Sequence, residues 1–191
     1  SIKARTLAEI ASKLENPQQI LQEVMNDARQ IEDRSARTWA LIEIATKLED
    51  PQQALQEALD VARQIEDWSI RARTLADIAS KLNDPQRALQ EALDVARQIK
   101  DTSERAKALA EIASKLKDPQ QALQEALDVA RQIEYVSDRA RMLSEIAHEL
   151  ENPQHALQEA LDVARQIEDT SERAKALAEI ATKLEDPQQA L

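Results

Sequence analysis

The sequence predicts an all-α solenoid built from pairs of helices, and three observations predict it. The six prolines, Pro17, Pro51, Pro85, Pro119, Pro153 and Pro187, fall 34 residues apart, and Ser1, Ser35, Ser69, Ser103, Ser137 and Ser171 keep the same beat. A strict period in this range marks a stacked repeat. Within each period, apolar residues recur at helical spacing over two separate segments. The chain has no Gly and no Phe, and its apolar content is mostly Ala, Leu, Ile and Val. Such side chains let helices approach closely and pack in layers.

The period sets the repeats at 1–34, 35–68, 69–102, 103–136, 137–170 and a shorter 171–191, in one array over 1–191. Ser103 to Val136 serves as the example. Its first helix is expected from about Ser103 to Leu116, with Ala106, Leu109, Ala110, Ile112, Ala113 and Leu116 on one face. Asp101 precedes it as N-cap, Glu104 completes a capping box, and Ser103 is an alternative cap. At Asp67 and Asp33 the matching Glu is missing. The second helix is expected to start at Pro119, because the absent proline N–H would be unpaired in the first turn anyway. Asp118 is then its N-cap, since a residue before proline is pushed out of the helical region. One Asp-Pro pair thus ends one helix and begins the next, without glycine. In the second helix Ala122, Leu123, Ala126, Leu127, Val129, Ala130 and Ile133 face inward. That stripe is wider than one packing partner requires and implies contact with the helix before and the helix after. Gln120, Gln121, Gln124, Glu125, Asp128, Arg131 and Gln132 are left to solvent.

Composition limits the function. There are 25 Lys and Arg against 36 Asp and Glu, a formal charge of −11. Nucleic acid and anionic membrane surfaces reward the opposite sign, so neither is an expected partner. The absence of Cys removes disulfides, thiolate nucleophiles and cysteine metal sites, and fits a reducing, cytoplasmic setting. Without Gly there is no glycine-rich phosphate loop and no dinucleotide fingerprint. No apolar run approaches the length of a membrane span.

The 34-residue period and two-helix unit resemble the tetratricopeptide repeat. The family's aromatic-Leu-Gly-aromatic spacing falls on Ala106, Leu109, Ala110 and Ala113, and its second-helix Ala, aromatic and Ala fall on Ala122, Ala126 and Val129. The large aromatic slots and the glycine slot all hold Ala, and the family's closing proline falls on Glu134. The resemblance implies a right-handed superhelix of antiparallel helix pairs. It also implies a concave face, lined by the first helix of each repeat, that binds protein or peptide. Arg5, Trp39, Arg73, Lys107, Arg141 and Lys175 would line it in one register. One turn on comes an acidic row, Glu9, Glu43, Asp77, Glu111, Glu145 and Glu179. A further turn on lie Lys13, Lys47, Lys81, Lys115, Glu149 and Lys183. The acidic row argues against the family's carboxylate-clamp mode, which needs Asn there. Equally, such charges are ordinary i,i+4 pairs on a solvated face.

Departures from the repeat carry more information than the repeat. Trp39 stands in a basic row, either as a binding anchor or as a filler beside Ile42 and Met25. Met142 and His148 break the pattern of the same helix type and join the candidate partner-binding residues. Trp68, and Tyr135 with Val136, are expected to pack at junctions between repeats. Glu145-x-x-His148 has metal-ligand spacing, but no second matching helix exists, and His155 sits in a solvent row. Surface variation accounts for both histidines, so no metal, cofactor or catalytic site is expected. The helix from Ser171 is expected to expose Leu177, Ile180, Ala181 and Leu184. An end of that kind invites head-to-tail association with another copy. Two functions follow: a non-enzymatic scaffold for protein or peptide, or a self-assembling or engineered structural repeat without a ligand. The chain is equally readable as the repeat region of a larger regulatory protein.

Overall fold

The computed structural model describes residues 17–184. Among them lie ten α-helices: α1 (Pro17–Arg29), α2 (Arg34–Ala45), α3 (Gln52–Ala62), α4 (Trp68–Ala79), α5 (Gln86–Ala96), α6 (Thr102–Ala113), α7 (Gln120–Ala130), α8 (Val136–His148), α9 (Gln154–Ala164) and α10 (Thr170–Ala181). The even-numbered helices are the first helices of the repeats, and the odd-numbered are the second. The first helix expected within 1–34, with Arg5, and the second helix expected from Pro187 lie outside the described residues.

The chain divides into two compact units, Ser1–Val95 and Ala96–Leu191. In the first unit α2 packs on α1 and α3, and α3 also meets α4. In the second, each helix from α6 to α10 packs on the next. There the first helices also touch in turn, α6 on α8 and α8 on α10. Each unit is thus a stack of helix pairs, the arrangement of an α-solenoid.

The ends of the helices explain the period. Asp33, Asp67, Asp101 and Asp169 sit in extended backbone and accept from the backbone N–H groups of Ala36, Ile70, Glu104 and Glu172 at 2.7–2.8 Å. These are N-caps in the expected place. The second helices begin one residue later than expected. Pro51, Pro119 and Pro153 stand just outside α3, α7 and α9, already in helical backbone, and their carbonyls accept the first helical bonds. Each proline is thus the N-cap of its helix, where its missing N–H costs no helical bond. The Asp50 carboxylate accepts from the Gln52 N–H at 3.2 Å.

Helix ends are closed without left-handed residues. No described residue has a positive φ, so the usual glycine cap is absent. The last turn tightens instead into shorter-range bonds, such as Ile65 N–H to the Ala62 carbonyl and Leu116 N–H to the Ala113 carbonyl. The carbonyls of Ile31, Ile65, Ile99, Ile133 and Ile167, each just past a second helix, then receive a guanidinium. The donors are Arg37, Arg71, Arg105, Arg139 and Arg173 of the following first helix.

The core follows the predicted stripes, with one added row. Ala122, Leu123, Ala126, Leu127, Ala130 and Ile133 are buried, as are Ala106, Leu109, Ile112 and Ala113. The added row is Ala40, Thr74, Ala108 and Met142, all buried. A first helix packs against neighbouring first helices as well as against second helices, so its apolar face is broader than periodicity alone indicates. Two other expectations are corrected. Trp68 and Tyr135 do not pack at repeat junctions: they are 41% and 73% exposed. On α10, Ile180 and Leu184 are buried against the preceding pair, and Leu177 and Ala181 are half-buried.

Tyr135 also occupies the N-cap position of α8, where four other first helices carry Asp, and it makes no side-chain cap bond. Tyr135→Asp should therefore stabilise the second unit by about 1 kcal/mol. A higher urea midpoint at unchanged m-value would show it.

Candidate partner-binding face

The first helices carry the rows that sequence places on a binding face. Trp39 on α2, Lys107 on α6, Arg141 on α8 and Lys175 on α10 are exposed, and Arg73 on α4 is half-buried. His148, at the end of α8, is also exposed. Met142 is not on this face, because at 4% exposure its side chain fills the added core row.

In the second unit the charges of the face answer one another. Lys107 Nζ lies 3.8 Å from Glu111. Arg141 bonds Asp138 at 2.8 Å and approaches Glu145 at 3.7 Å. The hydrogen bond to Asp138, then the fields of Glu145, Asp138 and Glu179, hold the Arg141 proton more firmly than usual. Since Glu179 belongs to α10, the face is continuous from α8 to α10. Lys183 closes the far end by donating to the Ser144 carbonyl at 3.4 Å.

The first unit differs. Trp39 is 52% exposed, so it does not replace core volume beside the buried Ile42 and Met25. On α4, Ile70 is 44% exposed, one turn before Arg73. Its counterparts Glu104, Asp138 and Glu172 are acidic. The Asp138–Arg141 bond shows that this position shares the face with the basic row three residues on. Sequence reasoning passed over Ile70, although a repeat-by-repeat comparison of that column would have found it. Trp68 stacks under the Arg71 guanidinium, 4.4 Å from the ring centre, an intramolecular cation–π contact.

The second helices carry an unpredicted ladder. Arg29, Arg63, Arg97 and Arg131 each grip the glutamate 28 residues ahead: Glu57, Glu91, Glu125 and Glu159. Each contact is two-pronged, Nε to one carboxylate oxygen and an Nη to the other, at 2.7–2.8 Å. The sequence assigned Glu125 and Arg131 to solvent because residues 28 apart show no helical periodicity. Gln52 adds a second clamp: its amide donates to the Lys81 carbonyl and accepts from the Asn83 N–H.

Nothing described assembles catalytic groups. A cleft of about 350 Å³ between α1 and α3 is floored by Met25, Leu48 and Ala54, and Glu57 on its rim is engaged by Arg29. Among the described residues, no three His, Asp or Glu side chains converge as a metal set. No helix there is long and apolar enough to cross a membrane.

No protein-family model matches the chain, and no curated protein matches it. Among solved structures it is similar to Ton1535 from Thermococcus onnurineus NA1, at 18% identity and a TM-score of 0.50. That match covers 87% of this chain and 56% of the other, so this chain spans about half the length of that protein. It also aligns with the de novo designed helical repeat protein DHR64 (20% identity, TM-score 0.21, covering 98% and 86% of the two chains). A further alignment is with the DHF58 filament (21% identity, TM-score 0.20, covering 98% and 85%). The fold is a helical repeat. The tetratricopeptide assignment is not confirmed by any family model.

The ladder makes the repeat sensitive to acid. The hydrogen bond from Arg131 holds the Glu159 carboxyl below its usual pKa, with the charges of Arg131 and His155 adding to it; Arg29 does the same to Glu57. A carboxyl lowered in the folded state stabilises above its unfolded pKa of about 4.3 and loses that contribution as pH falls through the lowered value. A double-mutant cycle of Arg131→Met and Glu159→Gln should give a coupling of about 0.5–1 kcal/mol at neutral pH, since the pair is partly exposed. Repeated at pH 3, the coupling should shrink.

Proposed function

We propose that the chain is a non-catalytic helical-repeat scaffold whose first role is structural. One observation carries this reading: the polar side chains of the repeat are used to build the repeat. The ladder arginines join one second helix to the next, and a second set of arginines closes the helix ends. On the first-helix face of the second unit, Arg141 is held by Asp138 and Glu145 of its own helix. The near-identity of the repeats supports it as well. Pro85–Asp118 and Pro153–Asp186 differ only at Arg87/His155, Lys100/Glu168, Ser114/Thr182 and Lys117/Glu185. Stacking asks for sameness, whereas recognition of an irregular partner asks for variation.

A second reading is favoured by a specific feature. On the first-helix face of the first unit, Trp39 and Ile70 replace charged residues and remain exposed. Exposed aromatics beside polar residues are the usual anchors of protein recognition. Under this reading the scaffold docks a protein or peptide there, the mode that the tetratricopeptide resemblance implies. Arg73 would extend the contact within the first unit; Lys107, Arg141, Lys175 and His148 belong to the corresponding face of the second unit. Head-to-tail association, expected from an exposed α10, loses that motive with the burial of Ile180 and Leu184.

The two readings differ in what Trp39 does. Under the structural reading, Trp39→Ala leaves sedimentation, unfolding and partner capture unchanged. Under the docking reading, the same variant unfolds at the parent urea midpoint, within about 0.5 kcal/mol for an exposed site, but loses a captured partner. Capture that survives both Trp39→Ala and Arg73→Glu removes the docking reading.

A further inference from the structure

This inference rests on the docking reading and names the chemistry of its partner. We propose that the face of α2 and α4 takes a short helix, apolar at one end and acidic at the other, with its apolar side chains on Trp39 and Ile70 and its carboxylates toward Lys47 and Lys81.

The two units fill the same four rows differently. In the second unit each first helix opens with a carboxylate on this face: Glu104, Asp138 and Glu172. One of them, Asp138, holds Arg141 at 2.8 Å. In the first unit those positions are Ala36 and Ile70, and one member of the basic row has become Trp39. Two carboxylates and one cation are therefore lost. What remains is Lys47, Arg73 and Lys81 against Glu43 and Asp77. Over the corresponding rows of the second unit, five cations meet seven carboxylates. The sign of the face thus reverses in the first unit, within a chain whose formal charge is −11. A partner with carboxylates is drawn to this face and held off the acidic surface elsewhere. A basic partner would find stronger sites on the rest of the molecule.

The layout fixes the partner's geometry. Trp39 lies midway along α2 and Ile70 near the start of α4, and Lys47 and Lys81 lie just past the ends of those helices. Lys47 follows Trp39 by eight residues and Lys81 follows Ile70 by eleven, or about 12 to 16 Å along a helix. Glu43, between Trp39 and Lys47, is approached by Lys47 at 3.9 Å, a loose pair that an incoming carboxylate can compete for. A helix of two to three turns, apolar at one end and acidic at the other, spans that distance. The helix-in-groove mode supplies the apolar contacts.

The test uses the full chain and two synthetic peptides. Both are helices of about twelve residues with the same leucine-bearing first half. One carries Glu over its second half and the other Lys. Calorimetric titration should show the Glu peptide binding at least tenfold tighter. Trp39→Ala and Ile70→Ser should each weaken it about tenfold, and Lys81→Glu at least threefold, with unfolding midpoints near the parent. A Lys peptide that binds as tightly, with the same dependence on Trp39, overturns the acidic assignment and leaves the docking reading in place. Binding of neither peptide, or binding indifferent to Trp39→Ala and Ile70→Ser, overturns the docking reading and the proposal with it. Self-association in the absence of peptide that Trp39→Ala abolishes assigns the face to a second copy and also overturns it.

Discussion

The chain has no glycine, the residue that enters left-handed backbone at least cost, and no described residue has a positive φ; much of the structure follows from that. A helix normally ends by turning through such a residue, which satisfies its last carbonyls from within. Here each second helix instead leaves an isoleucine carbonyl facing outward, and the arginine six residues on, already in the next first helix, donates to it. The closing group therefore arrives only if the next helix is in place. Helix termination and helix packing become one event, and a helix that drifts from its neighbour opens its own end. Insertion of a residue between Ile133 and Arg139 would break that reach, which gives the unvarying 34-residue spacing a physical cause.

The ladder applies the same logic between repeats. Arg63 does not merely neutralise Glu91; its guanidinium fork matches both carboxylate oxygens, which fixes direction as well as distance. Each pair is only partly buried, so its contribution to stability is modest. Its larger effect is on register, because Leu, Ala and Ile stripes of near-identical repeats would tolerate a one-turn slip. Gln52, holding the loop at Lys81 and Asn83, restrains the other side of the same junction. Apolar burial supplies the adhesion, and these polar contacts choose one alignment among several of similar apolar fit.

Sequence reading recovered the features that are local or periodic. The Asp caps, the helix pairs and the inward stripes of α6 and α7 follow from residues within one or two turns of each other. Three features did not follow. The Arg97–Glu125 bridge joins residues 28 apart and depends on how far one helix stands from the next, which periodicity does not contain. The burial of Met142 depends on contact between first helices, which broadens the core stripe by a row. The exposure of Tyr135 reverses the rule that large apolar side chains pack, because its column is a capping column whose other members all face solvent. Of the candidate face, Trp39 was legible because it breaks a charged row. Ile70 was missed because isoleucine in a helix attracts no notice until its column is compared across repeats.

The division of labour between the two helices explains where recognition can be added. A second helix that loses its ladder arginine loosens the junction ahead, and one that loses its glutamate loosens the junction behind. A first-helix pair such as Lys107–Glu111 lies within one helix, at 3.8 Å and well exposed, and is worth only a few tenths of a kcal/mol. Replacing Lys107 there by tryptophan removes only an exposed pair within its own helix. The first-helix face is thus the surface on which this repeat can change without coming apart. Trp39 and Ile70 show the change already made twice in one unit, in columns where the other unit keeps its charges.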